Sequence, residues 1–306
     1  MGRFILRRLG QGLLVVLGVS LVVFVAMRVF GDPAKVMLPL SATVEQRAEF
    51  EHLIGLDRPL PEQFVDFMGD LVTLDFGESL WQRRPAMTVV FERLPNTLML
   101  IGAGLGFAIL LALPLGAIAA LRPGGVVDRI TVIGGLIGLS TPQFWLGLLL
   151  IMLFAVNLRI LPTSGIGTWQ HLILPALTLA LPSMARMVLL VRSQVIDELN
   201  QQYVKTARAK GMRFHTVLFS HALRNTLIPF ITLAGWEVIS ALAGYTVVVE
   251  SVFAWPGLGL TAIQAIQRND LFLLQAIVFT VAIAIVLVNI SLDIIYKFID
   301  PRIKLA

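Results

Sequence analysis

Along this chain, apolar runs of bilayer-spanning length alternate with polar stretches. The runs fall at about 9–29, 97–121, 130–156, 172–191, 227–249 and 271–296. A helix needs about 20 apolar residues to cross the hydrocarbon core, so the pattern predicts an all-α integral membrane protein with six transmembrane helices. Gly31-Asp32-Pro33 follows the first run where a small-x-small cleavage site would stand, and the run exceeds a signal-peptide core. It is therefore read as a retained span, with Arg28 snorkelling at its far end.

Two polar stretches interrupt the runs. Residues 31–96 carry 11 of the 19 acidic residues, with a helical pattern at 43–54 and turn signals at Asp57-Arg58-Pro59 and Asp75-Phe76-Gly77. This is a small folded insert between the first two spans. Residues 193–226 are basic, with Lys205, Arg208, Lys210, Arg213 and Arg224 against Asp197 and Glu198. Ile196, Leu199, Tyr203 and Ala207 recur at helical spacing, Gly211 breaks the run, and Val217, Leu218, His221 and Ala222 suggest a second short helix. The stretch is thus a helix–turn–helix knob or, on charge alone, a solvated basic loop near lipid headgroups. The chain divides into 1–30, 31–96 and 97–306.

Composition agrees. Of 306 residues, 57% are hydrophobic and only 14% charged, too apolar for a soluble globular domain. The net charge of +5 does not indicate nucleic acid, because the basic residues flank spans. Arg3, Arg7 and Arg8, the loop bracketed by Arg122 and Arg129, the knob, and Lys297, Arg302 and Lys304 all lie on one side if both termini are cytoplasmic. The insert then faces outward. The absence of cysteine excludes disulfides and thiolate metal sites.

The strings Thr206-Ala207-Arg208-Ala209-Lys210-Gly211 and His221-Ala222-Leu223-Arg224-Asn225 carry the identification. The segment resembles the cytoplasmic coupling loop of bacterial ABC importer permeases, in the form typical of the peptide, opine and nickel branch. Where other permeases carry E-A-A-x-x-x-G, this chain reads Lys205-Thr206-Ala207-x-x-x-Gly211, so the acidic residue is missing. The resemblance implies ATPase coupling through Tyr203, Lys205, Thr206, Ala207, Arg208, Lys210, Gly211, His221, Arg224 and Asn225. It also implies a second homologous permease subunit, two ATPase subunits that bind ATP and Mg, an external solute-binding protein and the bacterial inner membrane. This chain itself holds no cofactor and is not an enzyme. Peptides are the default solute, with nickel complexes, opines or glutathione as alternatives.

A second string runs from Val247 to Gly259. On its residues it is an outer loop whose Pro-Gly turn and aromatics dip back against the bundle, or else an aromatic-belt anchor. It resembles the same family's V-V-E-x-V-F-x-W-P-G-L-G segment, which implies an outer gate of Glu250, Phe253, Trp255, Pro256, Gly257 and Gly259. Glu237, beside Trp236 in mid-span, is either a carboxyl hydrogen-bonded to neighbouring helices or a group on the translocation path that attracts cationic solutes. Asp293 reads as structural, and Arg186 and Arg192 as facing the cytoplasm or the ATPase. Gly102-x-x-x-Gly106 and Gly134-x-x-x-Gly138 read as close helix approaches, and Pro114, Pro142, Pro175 and Pro182 as kinks. No nucleotide loop, no serine-hydrolase elbow and no metal spacing among the scattered histidines occurs in the sequence. A secondary carrier or channel working without an ATPase is the alternative of a different class.

Overall fold

The computed structural model describes residues 2–30, 43–53 and 57–299. Its helices are α1 (Gly2–Phe30), α2 (Val44–Leu53), α3 (Leu60–Thr73), α4 (Ala86–Ala120), α5 (Val126–Ser140) and α6 (Gln143–Asn157). There follow α7 (Gln170–Leu199), α8 (Gln202–Ala209), α9 (Phe214–Val252), α10 (Leu258–Gln267) and α11 (Leu271–Ile299). A short antiparallel pairing joins β1 (Glu78–Ser79) to β2 (Arg84–Pro85). Gly31-Asp32-Pro33, Arg302 and Lys304 lie outside the described residues.

The all-α membrane architecture holds. Among the described residues, five helices are long and apolar enough to cross a bilayer, namely α1 over Leu6–Ala26, α4, α7, α9 and α11, and α5 with α6 makes up to a sixth. That last pair departs from the straight span expected at 130–156. Proline disfavours a helical conformation in the residue before it, and Thr141 is extended with φ −84° and ψ 120°. Pro142 then opens α6, turned by 105° from α5.

The knob's expected second helix also differs. It is the first part of α9, which runs without interruption from Phe214 to Val252 and widens into π turns at Leu218–Ala222 and Ala241–Tyr245. Leu218, Ala222 and Leu223 are buried in the same apolar core as Phe230 and Ala234, so one continuous face carries the helix into the span. The apolar helix α10 lies where the sequence showed only a connection.

The chain forms two compact units, Met1–Pro95 with Gly257–Val286, and Asn96–Pro256 with Leu287–Ala306. In the first, Leu71, Phe76, Val89, Val90, Leu258, Leu273, Ala276 and Ile277 form the core. Pro59 stands ahead of α3, and Leu74 closes that helix in the left-handed region at φ 57°. Gly77, at φ 75°, then turns the chain into β1 where a side chain would be strained. Asp270 is 1% exposed. Its carboxylate caps α11 at the Leu273 N–H (3.1 Å) and accepts from the Ser79 hydroxyl (2.5 Å) and the Trp81 N–H (3.1 Å), tying the β pairing down. Arg268 lies over the Trp81 ring, 4.5 Å from its centroid.

In the second unit α7 is central. Half of its apolar stretch is buried, against 17–33% in the other long helices. Ala112, Ala117 and Ala120 of α4, Met187, Val188, Val191 and Val195 of α7, and Leu218 to Ala234 of α9 supply the core. Close approach is made at glycines other than those expected. Gly102, Gly106 and Gly134 have open space where a Cβ would sit, and of the two motifs only Gly138 is tight, 3.2 Å from Ala185. The critical position is Gly116 on α4, where a Cβ would lie 2.7 Å from the Val188 carbonyl oxygen and 2.6 Å from Val191 Cβ. Backbone cannot move aside as a side-chain tip can. Gly116→Ala is expected to cost about 1–3 kcal/mol by overpacking. Gly106→Ala should stay within about 0.5 kcal/mol. Thermal unfolding of the detergent-solubilised chain checks both, and equal effects would contradict the packing described.

Candidate functional site

Two charge pairs hold α7. Arg186 and Arg192 are six residues apart, which at about 100° per residue sends them from different sides of the helix. Arg186 reaches Glu237 of α9 in a two-pronged pair, with Nε donating to Oε1 at 2.5 Å and Nη2 to Oε2 at 2.7 Å. The Ser183 hydroxyl donates to the same Oε2 at 2.7 Å. Arg192 reaches Asp128 of α5, with Nε bound to Oδ1 and Nη2 donating to Oδ2 at 2.8 Å, and the Gly124 N–H adds a bond at 2.7 Å. Both carboxylates are buried, Glu237 at 1% and Asp128 at 4% exposure. A lone charge at such a depth would be costly. Two-pronged pairing with a further donor on each carboxylate meets that cost.

These pairs turn Arg186 toward Glu237 rather than the cytoplasm or the ATPase, and join Arg192, still a quarter exposed, to Asp128. They also show that Glu237 is hydrogen-bonded to a neighbouring helix and carries a guanidinium against it. Trp236 is 63% exposed and points away from Glu237 on α9.

At its C-terminal end α7 passes directly into the knob. Gln201 is extended and starts α8, whose apolar face is Val204 and Ala207, packed on Val217 and Met212. Lys205, Thr206, Arg208 and Lys210 lie on the exposed side. Gly211 adopts φ 81°, the left-handed conformation that lets α8 end and α9 begin within a few residues. A polar clamp closes the corner. The Tyr203 hydroxyl donates to Glu198 of α7, and Asn225 Nδ2 of α9 donates to both Glu198 (3.0 Å) and the Tyr203 oxygen (3.1 Å). Burial, together with the Glu198 carboxylate that accepts its proton, pushes the Tyr203 phenol up to about 12. It therefore remains a donor throughout the physiological range. His221 stands 6.1 Å from the Tyr203 ring, Arg224 is exposed, and Arg208 lies over the Phe214 ring at 5.3 Å.

The Val247–Gly259 stretch is folded inward. Glu250, Phe253 and Trp255 are buried at 0%, 1% and 1% exposure, so Trp255 does not sit in a lipid-facing aromatic belt. Its indole N–H donates to the Asn96 carbonyl at 3.0 Å, Asn96 Nδ2 donates to the Pro256 carbonyl at 2.8 Å, and the Thr97 hydroxyl donates to Glu250 at 2.7 Å. The Gly165 N–H donates to the Phe253 carbonyl at 2.8 Å. Pro256 is partly exposed, and Gly257 and Gly259 are buried at the start of α10.

Sequence reasoning missed Asp128, Ser183, Asn96, Thr97 and Glu198 as partners. For Arg186 and Glu237 the signal was available, since each intramembrane charge calls for a counter-charge. Among the described residues no group of three or more His, Asp or Glu could hold a metal.

This is the architecture of the membrane subunit of a transporter, a set of long apolar helices with an exposed, clamped basic knob and paired charges. The chain belongs to the family of binding-protein-dependent transport system inner membrane components, whose model matches residues 112–305, while the N-terminal model of the same systems matches residues 1–101. It is 37% identical to the oligopeptide transport system permease protein AppB of Bacillus subtilis, across 99% of this chain and all of that one. It is 38% identical to the di/tripeptide transport system permease protein DppB of Pseudomonas aeruginosa, across 98% of each. With the glutathione transport system permease protein GsiC of Escherichia coli K12 it shares 36% identity over 94% of each. Among solved structures it superposes on a chain of the inward-facing MetNI methionine ABC transporter with TM-score 0.57, covering 70% of this chain and 97% of that one at 19% identity, a likeness of fold.

Removing one member of the inner charge pair should cost more than removing both. Arg192→Gln leaves Asp128 without its counter-charge and is expected to destabilise the chain. The double variant Asp128→Asn with Arg192→Gln should recover most of that loss. Thermal unfolding of the four proteins of the cycle measures the coupling, and strict additivity would contradict a direct pair.

Proposed function

We propose that this permease subunit imports peptides, paired with a second homologous permease and driven by two separate ATPase subunits that bind ATP and Mg. A solute-binding protein delivers cargo to the outer face. Six spans with both termini in the cytoplasm, α5 and α6 together forming one of them, put the basic knob inside and the 31–96 insert outside. The observation that carries the reading is the knob itself. An exposed basic helix, α8, is clamped by Tyr203 and Asn225 to the ends of two spans on a chain alike, end to end, to oligopeptide and di/tripeptide permeases.

In the cycle, closure of the ATPase pair pulls on Lys205, Thr206, Ala207, Arg208, Lys210 and Gly211. Tyr203, His221, Arg224 and Asn225 pass the displacement to α7 and α9. The bundle then alternates between inward-open and outward-open arrangements. Glu250, Phe253, Trp255, Pro256, Gly257 and Gly259 form the outer gate, where one short, buried, hydrogen-bonded turn joins α9 to α10. Glu237 and Trp236 lie at the depth of the translocation path. Glutathione is the second reading, on the 36% identity to GsiC.

Two experiments test this reading. Tagged protein extracted in mild detergent should bring down a nucleotide-binding subunit, and persistent failure to do so would count for a carrier or channel without an ATPase. Deleting Thr206 to Gly211 from a chain that still inserts and assembles should abolish ATP-dependent uptake, whereas undiminished uptake would overturn the proposed coupling.

A further inference from the structure

The pair in mid-bundle reverses the polarity expected from Glu237 alone. The carboxylate is 1% exposed and fully engaged, while the Arg186 side chain is 32% exposed. Nε and Nη2 of Arg186 are committed to Glu237 and Ser183, and among the described residues nothing accepts from Nη1. The open group of the cluster is therefore a cationic donor. Both residues lie within the apolar runs 172–191 and 227–249, where acyl chains are a poor environment for an exposed guanidinium. The exposed edge of Arg186 thus faces water or protein within the assembled transporter.

A second observation marks the same spot. The guanidinium carbon lies 5.7 Å from the centroid of the Tyr245 ring, and Tyr245 is itself 39% exposed. Tyr245 ends the π-widened segment Ala241–Tyr245 of α9. Such widened turns recur at functional sites because they re-aim side chains.

We propose that Arg186 and Tyr245 form a carboxylate-binding station on the translocation path, and that Glu237 holds the guanidinium in place and cancels its charge. A free arginine would trap an anionic cargo; a neutralised one offers directional N–H donors and lets it leave, as a conduction site requires. The ligand class is a small solute bearing a carboxylate. This deepens the peptide-import reading and rests on it, since peptides carry such groups.

The test uses the complete transporter in proteoliposomes, with its partner permease, ATPases and binding protein. Because this chain has no cysteine, Tyr245→Cys introduces its only thiol. A charged, membrane-impermeant thiol reagent should modify that site in the assembled complex, detected as a mass shift on this chain. No modification in any nucleotide state overturns the station. In the second arm, uptake of Ala-Glu-Ala and Ala-Lys-Ala is compared within each variant, so that the binding protein's own preference is constant. Glu237→Gln uncovers the arginine and should lower the Glu-to-Lys uptake ratio roughly fivefold, the difference between a neutral and a charge-assisted hydrogen bond. The double variant Arg186→Gln with Glu237→Gln removes both charges and should bring the ratio back toward wild type. An unchanged ratio in Glu237→Gln overturns the proposal in favour of a purely structural ion pair. A wild-type transporter that takes up neither peptide sinks the peptide reading instead, and the thiol arm still decides whether the cluster faces water.

Discussion

A charge placed in the interior of a membrane bundle is tolerated only when another group neutralises it, and α7 meets that condition at Arg186 and adds a second ion pair at Arg192. Arg186 binds Glu237 of α9, and Arg192 binds Asp128 of α5. Each pair has the two-pronged geometry that best offsets desolvation, and each carboxylate receives one more donor. Apolar packing is weakly directional among helices that lipid can also solvate, whereas these bonds fix the rotation and height of α7 against its neighbours. The tight glycine contact at Gly116 adds a third constraint, from α4.

A helix held in this way can transmit displacement. The last turn of α7 carries Glu198, which meets Tyr203 of the knob and Asn225 of α9 at one point. Movement imposed on α8 is therefore delivered to two spans at once, and those same spans are joined again at Arg186 and Glu237. In the proposed cycle the knob, the clamp and the mid-bundle pair lie along one mechanical line. The C-terminal end of α9 finishes at the buried Phe253 and Trp255, so a helix moved at its N-terminal end carries that segment with it.

Much of this was legible in the sequence. Apolar run length gave the spans, and the basic interruption gave the knob, because bilayer thickness and charge desolvation act on any sequence in the same way. The break between α5 and α6 was less legible: Pro142 announced a kink, but a turn of 105° depends on Thr141 adopting an extended conformation within its packing. The short helix expected after Gly211 merged into α9, since Leu218, Ala222 and Leu223 share the core that the span occupies. Which glycines touch could not be read from spacing, as Gly102 and Gly106 have the motif and open space, while Gly116 has neither the motif nor room. Arg186 was misplaced for a related reason. A positive residue near a span end reads as interfacial until a carboxylate on another helix is found opposite it, and that pairing is a property of the tertiary structure.

The central claim is that α7 and α9 move as one body when the knob is pulled. Spin labels at Ser193→Cys on α7 and Phe219→Cys on α9, both exposed positions in a chain without other cysteines, would report their separation by pulsed electron resonance across the nucleotide cycle of the assembled transporter. The separation is expected to stay constant within the width of the distribution, while the distance from either label to a fixed position on the partner permease changes by several ångströms. A large nucleotide-dependent change between Ser193 and Phe219 themselves would show that the clamp and the mid-bundle pair do not bind the two helices together.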